Sequence, residues 1–310
     1  MLEDRLLAHY NIGTGGWAYF NAQGKPSLKA YSKVFSFVEV NYTFYEYPTR
    51  RMVEHWRRIV PKNFTFTVRC HQDLTHRIGL KPVEEAYYVF NQMIRFCRVL
   101  EAPFLHLETP KSYGFEKTTL KQAKDFFSTI SVKGVQLAWE IRSPVTEEAK
   151  NLMQDFGIVH SIDLSREEPA YGSDTVYTRL FGKGEHNIYQ FTDEELVIID
   201  QKIGKSEAKT VVASFHGIRM NTDALRFKQY KKSGIFPTVT SFVGTESARS
   251  VLQEDTVFPS SKQGLIEDQG WKVIDLTADK RVHLSELLAG IPEKNYNSLD
   301  EVVHELEANS

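Results

Sequence analysis

The residues best suited to chemistry sit at alternate positions inside otherwise apolar segments. They are Glu39 and Asn41 in FVEVN, Arg69 and His71 in FTVRCH, and His106 and Glu108 in FLHLE. Glu140 and Arg142 follow in LAWEIR, Asp163 in VHSID, Arg179 in VYTRL and His216 in VVASFH. Side chains two apart on an extended strand share a face. The opposite face is apolar, as with Val38 and Val40, Leu105 and Leu107, or Leu137, Trp139 and Ile141. Carboxylates set among arginines are the raw material of acid–base catalysis, because neighbouring cations depress one pKa while burial raises another. Arg142 and Arg179 bring planar forks that match phosphate or carboxylate. The chemistry expected is therefore proton transfer on an anionic substrate.

Such charges need a scaffold that collects them. Short apolar runs alternate along the chain with longer amphipathic ones, giving eight strand-sized segments between YNIGTGGW and TVVASFHG, nearly all followed by helical stretches. Alternating β and α implies a parallel sheet with crossover helices. Eight units in roughly 230 residues fit an α/β fold of the (β/α)₈ TIM-barrel class. An open doubly wound sheet would want a glycine-rich phosphate turn in its first unit, and GTGGW is too compressed for one. In a barrel the polar strand ends fall at the C-terminal mouth, where active sites of this fold lie. Two domains are expected: a barrel over 1–234 and a small α/β appendage over 235–310, where the eightfold rhythm stops. TDEELVIIDQKIG carries a capping box at its start, Thr192 with Glu195 three residues on. Gly157 is placed to end the helix of TEEAKNLMQDFG.

Composition narrows the classes. With 310 residues and a net charge of −2, nothing in the totals draws the chain to nucleic acid or membrane. Cys70 and Cys97 lie in no C-x-x-C, which fits reduced thiols and a cytoplasmic protein. The opening MLEDRLLAHYNIG lacks a basic signal-peptide start, and no run is long enough for a membrane helix.

The chain resembles the YecE-like family, also called domain of unknown function 72. The resemblance rests on IGTGGWAY, VEVNYTFYEYPT, Thr75–His76, AWEIRSP, YTRLFG and SFHGIRMNTDA, in that order between Ile12 and Ala224. It implies a TIM barrel and no particular reaction, and it raises His76 to a site residue. Part of the rim departs from the family pattern, with His106 and Glu108 in LHLETP, Leu180–Phe181 after Arg179, and His216–Gly217 ending the eighth strand.

Together these readings name Glu39, Glu140, Asp163 and His76 as candidate catalytic residues. Trp17, Asn41, Tyr45, Arg69, Glu108, Arg142, Arg179 and His216 are the candidate substrate contacts, with Phe44 and Tyr45 as a wall. Three other readings compete. His106, Glu108, Glu140, Asp163 and His216 could ligate a divalent metal, although no H-x-H or H-E-x-x-H supports it. The basic runs RRMVEHWRR and RFKQYKK could bind a nucleic-acid fragment, although on helices such residues normally form a solvated face. The charges could also pair only with one another, as a polar plug without chemistry. No motif specifies a cofactor or an oligomeric partner.

Overall fold

A computed structural model describes residues 8–22 and 24–309. Eight parallel strands form one sheet. They are β1 (His9–Thr14), β2 (Phe37–Val40), β3 (Thr65–Arg69), β4 (Phe104–Thr109), β5 (Gln136–Ile141), β6 (Val159–Ser161), β7 (Thr175–Leu180) and β8 (Thr210–Phe215). The order around the sheet is β6-β5-β4-β3-β2-β1-β8-β7. The ring closes where the Arg179 amide donates to the Ile162 carbonyl at 2.9 Å and the Ile162 amide to the Tyr177 carbonyl at 3.3 Å. These bonds flank a single parallel bridge, Ile162 to Thr178. This is the barrel expected from the alternation of the sequence.

The chain divides into two compact units, and the division is not at residue 234. One unit runs through Leu180 and takes in Lys202–His216, so it holds all eight strands. The other comprises Phe181–Gln201 and Gly217 onward.

In the barrel unit the strand registers put Glu39 level with Thr67, Arg69 with His106, and Glu108 with Glu140, so these side chains share the interior face. The outward set is apolar and wholly buried at Val38, Val40, Val68, Leu105, Leu107 and Trp139. It packs beneath helices such as Glu84–Leu100, whose inner stripe includes Val89, Phe90, Met93 and Cys97. The floor of the interior is apolar, made of Phe37, Phe104, Ala138, Val159, Tyr177 and Val212. Helices begin where local chemistry satisfies their first amides: Thr49 Oγ1 accepts from Met52 N at 3.3 Å and Thr146 Oγ1 from Ala149 N at 3.2 Å. Gly157, at φ +62°, ends the helix Glu147–Asp155 in the left-handed conformation that glycine adopts without strain. Between β6 and β7 no helix forms; SREEPAYGSD runs as turns and irregular backbone.

The second unit has its own core, built on Leu252, Leu265, Ile274, Leu284, Leu288 and Tyr296. The capping box forms: Glu195 N donates to Thr192 Oγ1 at 3.3 Å and Thr192 N to Glu195 Oε2 at 3.1 Å. Buried Arg226 bonds Asp193 at 2.5 Å and Asp223 at 3.0 Å, while Arg281 joins Asp193 and Asp275, each at 3.0 Å. RFKQYKK is thus anchored by a core arginine, with Lys231 paired to Asp200 at 2.8 Å.

Candidate functional site

Above the apolar floor the barrel interior turns polar in two steps. In the lower step Tyr177 donates its hydroxyl to Glu39 Oε2 at 2.7 Å and lies 2.9 Å from Thr67 Oγ1. His106 stacks on the Tyr177 ring with centroids 5.2 Å apart, and its Nε2 meets Ser161 Oγ at 3.1 Å. Tyr177 was not among the candidate residues. The signal for it was its position two residues before Arg179 on one strand face.

The upper step is centred on Arg179. Its Nε reaches Glu39 Oε1 at 3.1 Å, and its Nη1 reaches Glu108 Oε2 at 2.7 Å and Glu140 Oε2 at 2.5 Å. Arg69 bonds Glu108 Oε2 at 2.6 Å and Asn41 Oδ1 at 2.5 Å. Arg142 bonds Glu140 Oε1 at 3.0 Å and lies 3.2 Å from Glu108 Oε1. His216 Nε2 lies 3.4 Å from Glu39 Oε1 and 3.0 Å from Ser214 Oγ. Three carboxylates and three guanidiniums from five strands or their ends thus form one network in which opposite charges cancel.

Electrostatics follow from that pairing. Burial works to raise the Glu39 carboxyl, but the Arg179 charge foremost, with His216, holds it well below the usual carboxylate range. Glu108 and Glu140 are likewise burdened by burial and pulled down, chiefly by Arg179. Burial would strip the proton from Arg179, but Glu39, Glu140 and Glu108 drive its pKa far up. Burial and the Arg179 charge lower His106 to about 3, and the same two causes lower His216. The cluster therefore holds ionised carboxylates and neutral imidazoles. Two nitrogens in it, Arg69 Nε and His106 Nδ1, are buried without a hydrogen-bond partner.

Exposure grades the cluster. The Arg179 and Glu39 side chains are 1% and 0% exposed, Glu140 is 13% and Arg142 is 40%, so solvent meets the network at Arg142 and Glu140. His76 lies exposed on the segment Asp73–Ile78, which winds as a π-helix. Its ring meets the Phe44 ring edge-on at 5.1 Å, and Arg69 caps that same ring at 3.6 Å. Partial burial foremost lowers the His76 pKa; the Glu108 charge opposes that shift, and the Arg69 and Arg142 charges add to it.

Of the residues named from sequence, Glu39, Asn41, Arg69, Glu108, Glu140, Arg142, Arg179 and His216 come together, and His76 stands beside them across Phe44. Three do not join. Asp163 is buried but caps its own turn, its Oδ1 accepting from Ser165 N at 2.9 Å and Ser165 Oγ at 2.6 Å. Trp17 packs edge-on against Trp56 of an outer helix, centroids 5.3 Å apart. Tyr45 is 57% exposed, on a short helix Tyr42–Tyr45, and meets the Phe44 ring edge-on at 4.9 Å. Among the described residues no group of three His, Cys, Asp or Glu side chains has a metal-binding arrangement, so the ligand set named from sequence does not gather as one. Both cysteines are buried, and burial pushes both thiols up. No described helix is long and apolar enough to cross a membrane.

Ring and charge cluster together define a (β/α)₈-barrel protein with a buried ionic network at its polar end. The chain belongs to the DUF72 family: residues 11–233 match the family model described as "Protein of unknown function DUF72". A DUF72 protein of known structure from Thermotoga maritima is 22% identical with a TM-score of 0.60, covering 73% of this chain and 100% of that one. A second, from Enterococcus faecalis, is 16% identical with a TM-score of 0.56, covering 73% and 98%. At these identities the likeness is one of fold. The UPF0759 protein YunF of Bacillus subtilis is 25% identical over 196 residues, 56% of this chain and 66% of YunF, so the match spans just under two thirds of that relative.

Proposed function

We propose that the polar end of the barrel is an acid–base site for a small phosphate- or carboxylate-bearing molecule, anchored by Arg142, with His76 as proton acceptor. The observation that carries this reading is the exposure gradient: of the three clustered guanidiniums, Arg142 is the one whose side chain is 40% open, and it stands beside the least buried carboxylate, Glu140. Glu39 and Glu108, buried and held ionised, serve as counter-ions that fix Arg179 and Arg69 rather than as acids. A neutral imidazole at the edge of a cationic rim accepts a proton at neutral pH, and the cations stabilise the charge left on the substrate.

A second reading, an inert polar core, is favoured by the completeness of the pairing, since a network that neutralises itself needs no ligand. Calorimetric titration of the full-length protein with a panel of phosphate monoesters and short dicarboxylates separates the two. The site reading expects at least one binder, weakened about tenfold or more by Arg142→Ala, which is about 1.4 kcal/mol, and still bound by His76→Gln with slower turnover. Binding that survives Arg142→Ala unchanged, or no binder across the panel, overturns it.

A further inference from the structure

We propose that the outer helices Arg50–Ile59 and Glu84–Leu100 form a docking groove for an acidic peptide segment that inserts an apolar side chain between its carboxylates. The two helices pack side by side on the barrel unit. Between them lies a groove of about 460 Å³ with Val53, Phe96 and Val99 as its floor and Arg50, Arg95 and Arg98 at its rim. That volume lies within the range of pockets that hold small ligands or a few side chains.

The arginines of the first helix have local work at its C-terminal end, where Arg57 donates to the Phe64 carbonyl at 2.8 Å and Arg58 meets His55 at 3.1 Å. At its start Arg50 pairs with Glu54 at 2.7 Å, an exposed pair. Such a pair is worth at most about 1 kcal/mol and is readily exchanged. Arg95 and Arg98 are exposed and have no ion pair or side-chain hydrogen bond with any described residue. Two unpaired guanidinium forks over an apolar floor demand an occupant with both characters: carboxylates that take the forks bidentately and an apolar group for the floor. A peptide with an apolar residue between acidic ones has both. A nucleic-acid strand matches the charge, but Phe96 is only 8% exposed, so the groove offers no open ring on which bases could stack.

The test is fluorescence anisotropy of the full chain with a labelled peptide that sets leucine between glutamate pairs. Binding is expected to weaken about tenfold or more in the doubly substituted Arg95→Glu, Arg98→Glu protein and to stay within about twofold in Arg51→Glu, an exposed position outside the groove. The double variant should instead take up a peptide with lysines in place of the glutamates, a gain that misfolding would not produce. The proposal is overturned if a serine-for-leucine peptide binds as tightly, if an oligothymidylate of equal charge binds more tightly, or if the double variant binds like the parent protein.

Discussion

Arg179 answers three carboxylates at once, and its loss would leave them with two guanidiniums. Removing one partner from a buried ionic network costs about 3–5 kcal/mol, because the remaining charges stay buried and uncompensated. Arg179→Met is therefore expected to lower the urea-unfolding free energy by that amount, and adding Glu39→Gln to recover part of it. Arg142→Ala should cost less than about 1 kcal/mol, since its side chain is 40% exposed and screened by water. Equal losses for the two arginines would show that burial does not rank the cluster. The same ranking explains what sequence could reveal about these residues. Alternation put Glu39, Glu108, Glu140 and Arg179 on one face, and the closed sheet did the rest. Asp163 satisfied the same alternation yet left the network, because a serine two residues on gave its carboxylate a local partner. No strand pattern encodes that competition.

Among the elements, strands were easier to read than the segments that join them. Strand faces are set by a period of two, which survives in a single sequence. The π-helix carrying His76 and the short helix carrying Phe44 follow from tertiary packing rather than local propensity. Gly15, directly after β1, is explained by the assembled barrel. A Cβ on Gly15 would stand 2.1 Å from His216 Cε1, so the backbone there passes against the imidazole that faces Glu39. Gly15→Ala should push His216 away and cost about 1–3 kcal/mol of overpacking. Thermal unfolding measures the cost, and the His216 ring resonance reports the displacement; an unchanged resonance with full stability would refute the close approach. The second unit was the least legible. After Gly234 its strands have two or three residues and its helices five to ten, too brief for periodicity to mark, and Phe181–Gln201 joins it from the middle of the barrel sequence, which no composition change announces.

Across the whole molecule, pH should act on the two units in opposite directions. In the barrel unit burial lowers His106 from its ordinary 6.5 to about 3 and His160 to about 4. A depressed imidazole contributes stability that is complete above the unfolded value and is lost as pH falls towards the folded one. Each group thus removes about 1.4 kcal/mol per pH unit below 6.5. In the second unit burial raises Asp223 from 3.8 to about 7, against the pull of Arg226 and the Phe191 amide. A raised carboxyl contributes stability that is complete below the unfolded value and is lost as pH rises through the folded one. Moving from pH 7 to pH 5 should therefore loosen the barrel strands and tighten the helix Met220–Ser233. Amide hydrogen exchange at the two pH values checks this, with His106→Asn reducing the barrel slope and Asp223→Asn removing the opposite one. Parallel changes in both units would contradict it.

The closing bridge of the ring has a mechanical meaning. The Arg179 amide makes a hydrogen bond across the seam between β6 and β7, and its side chain neutralises the glutamates inside. One residue is both the clasp of the cylinder and the counter-ion of its contents. Any load that parts the seam withdraws that counter-ion, and the glutamates, left to repel one another, drive the parting further. Opening at this seam is thus self-reinforcing, and the barrel should yield there abruptly rather than by gradual fraying.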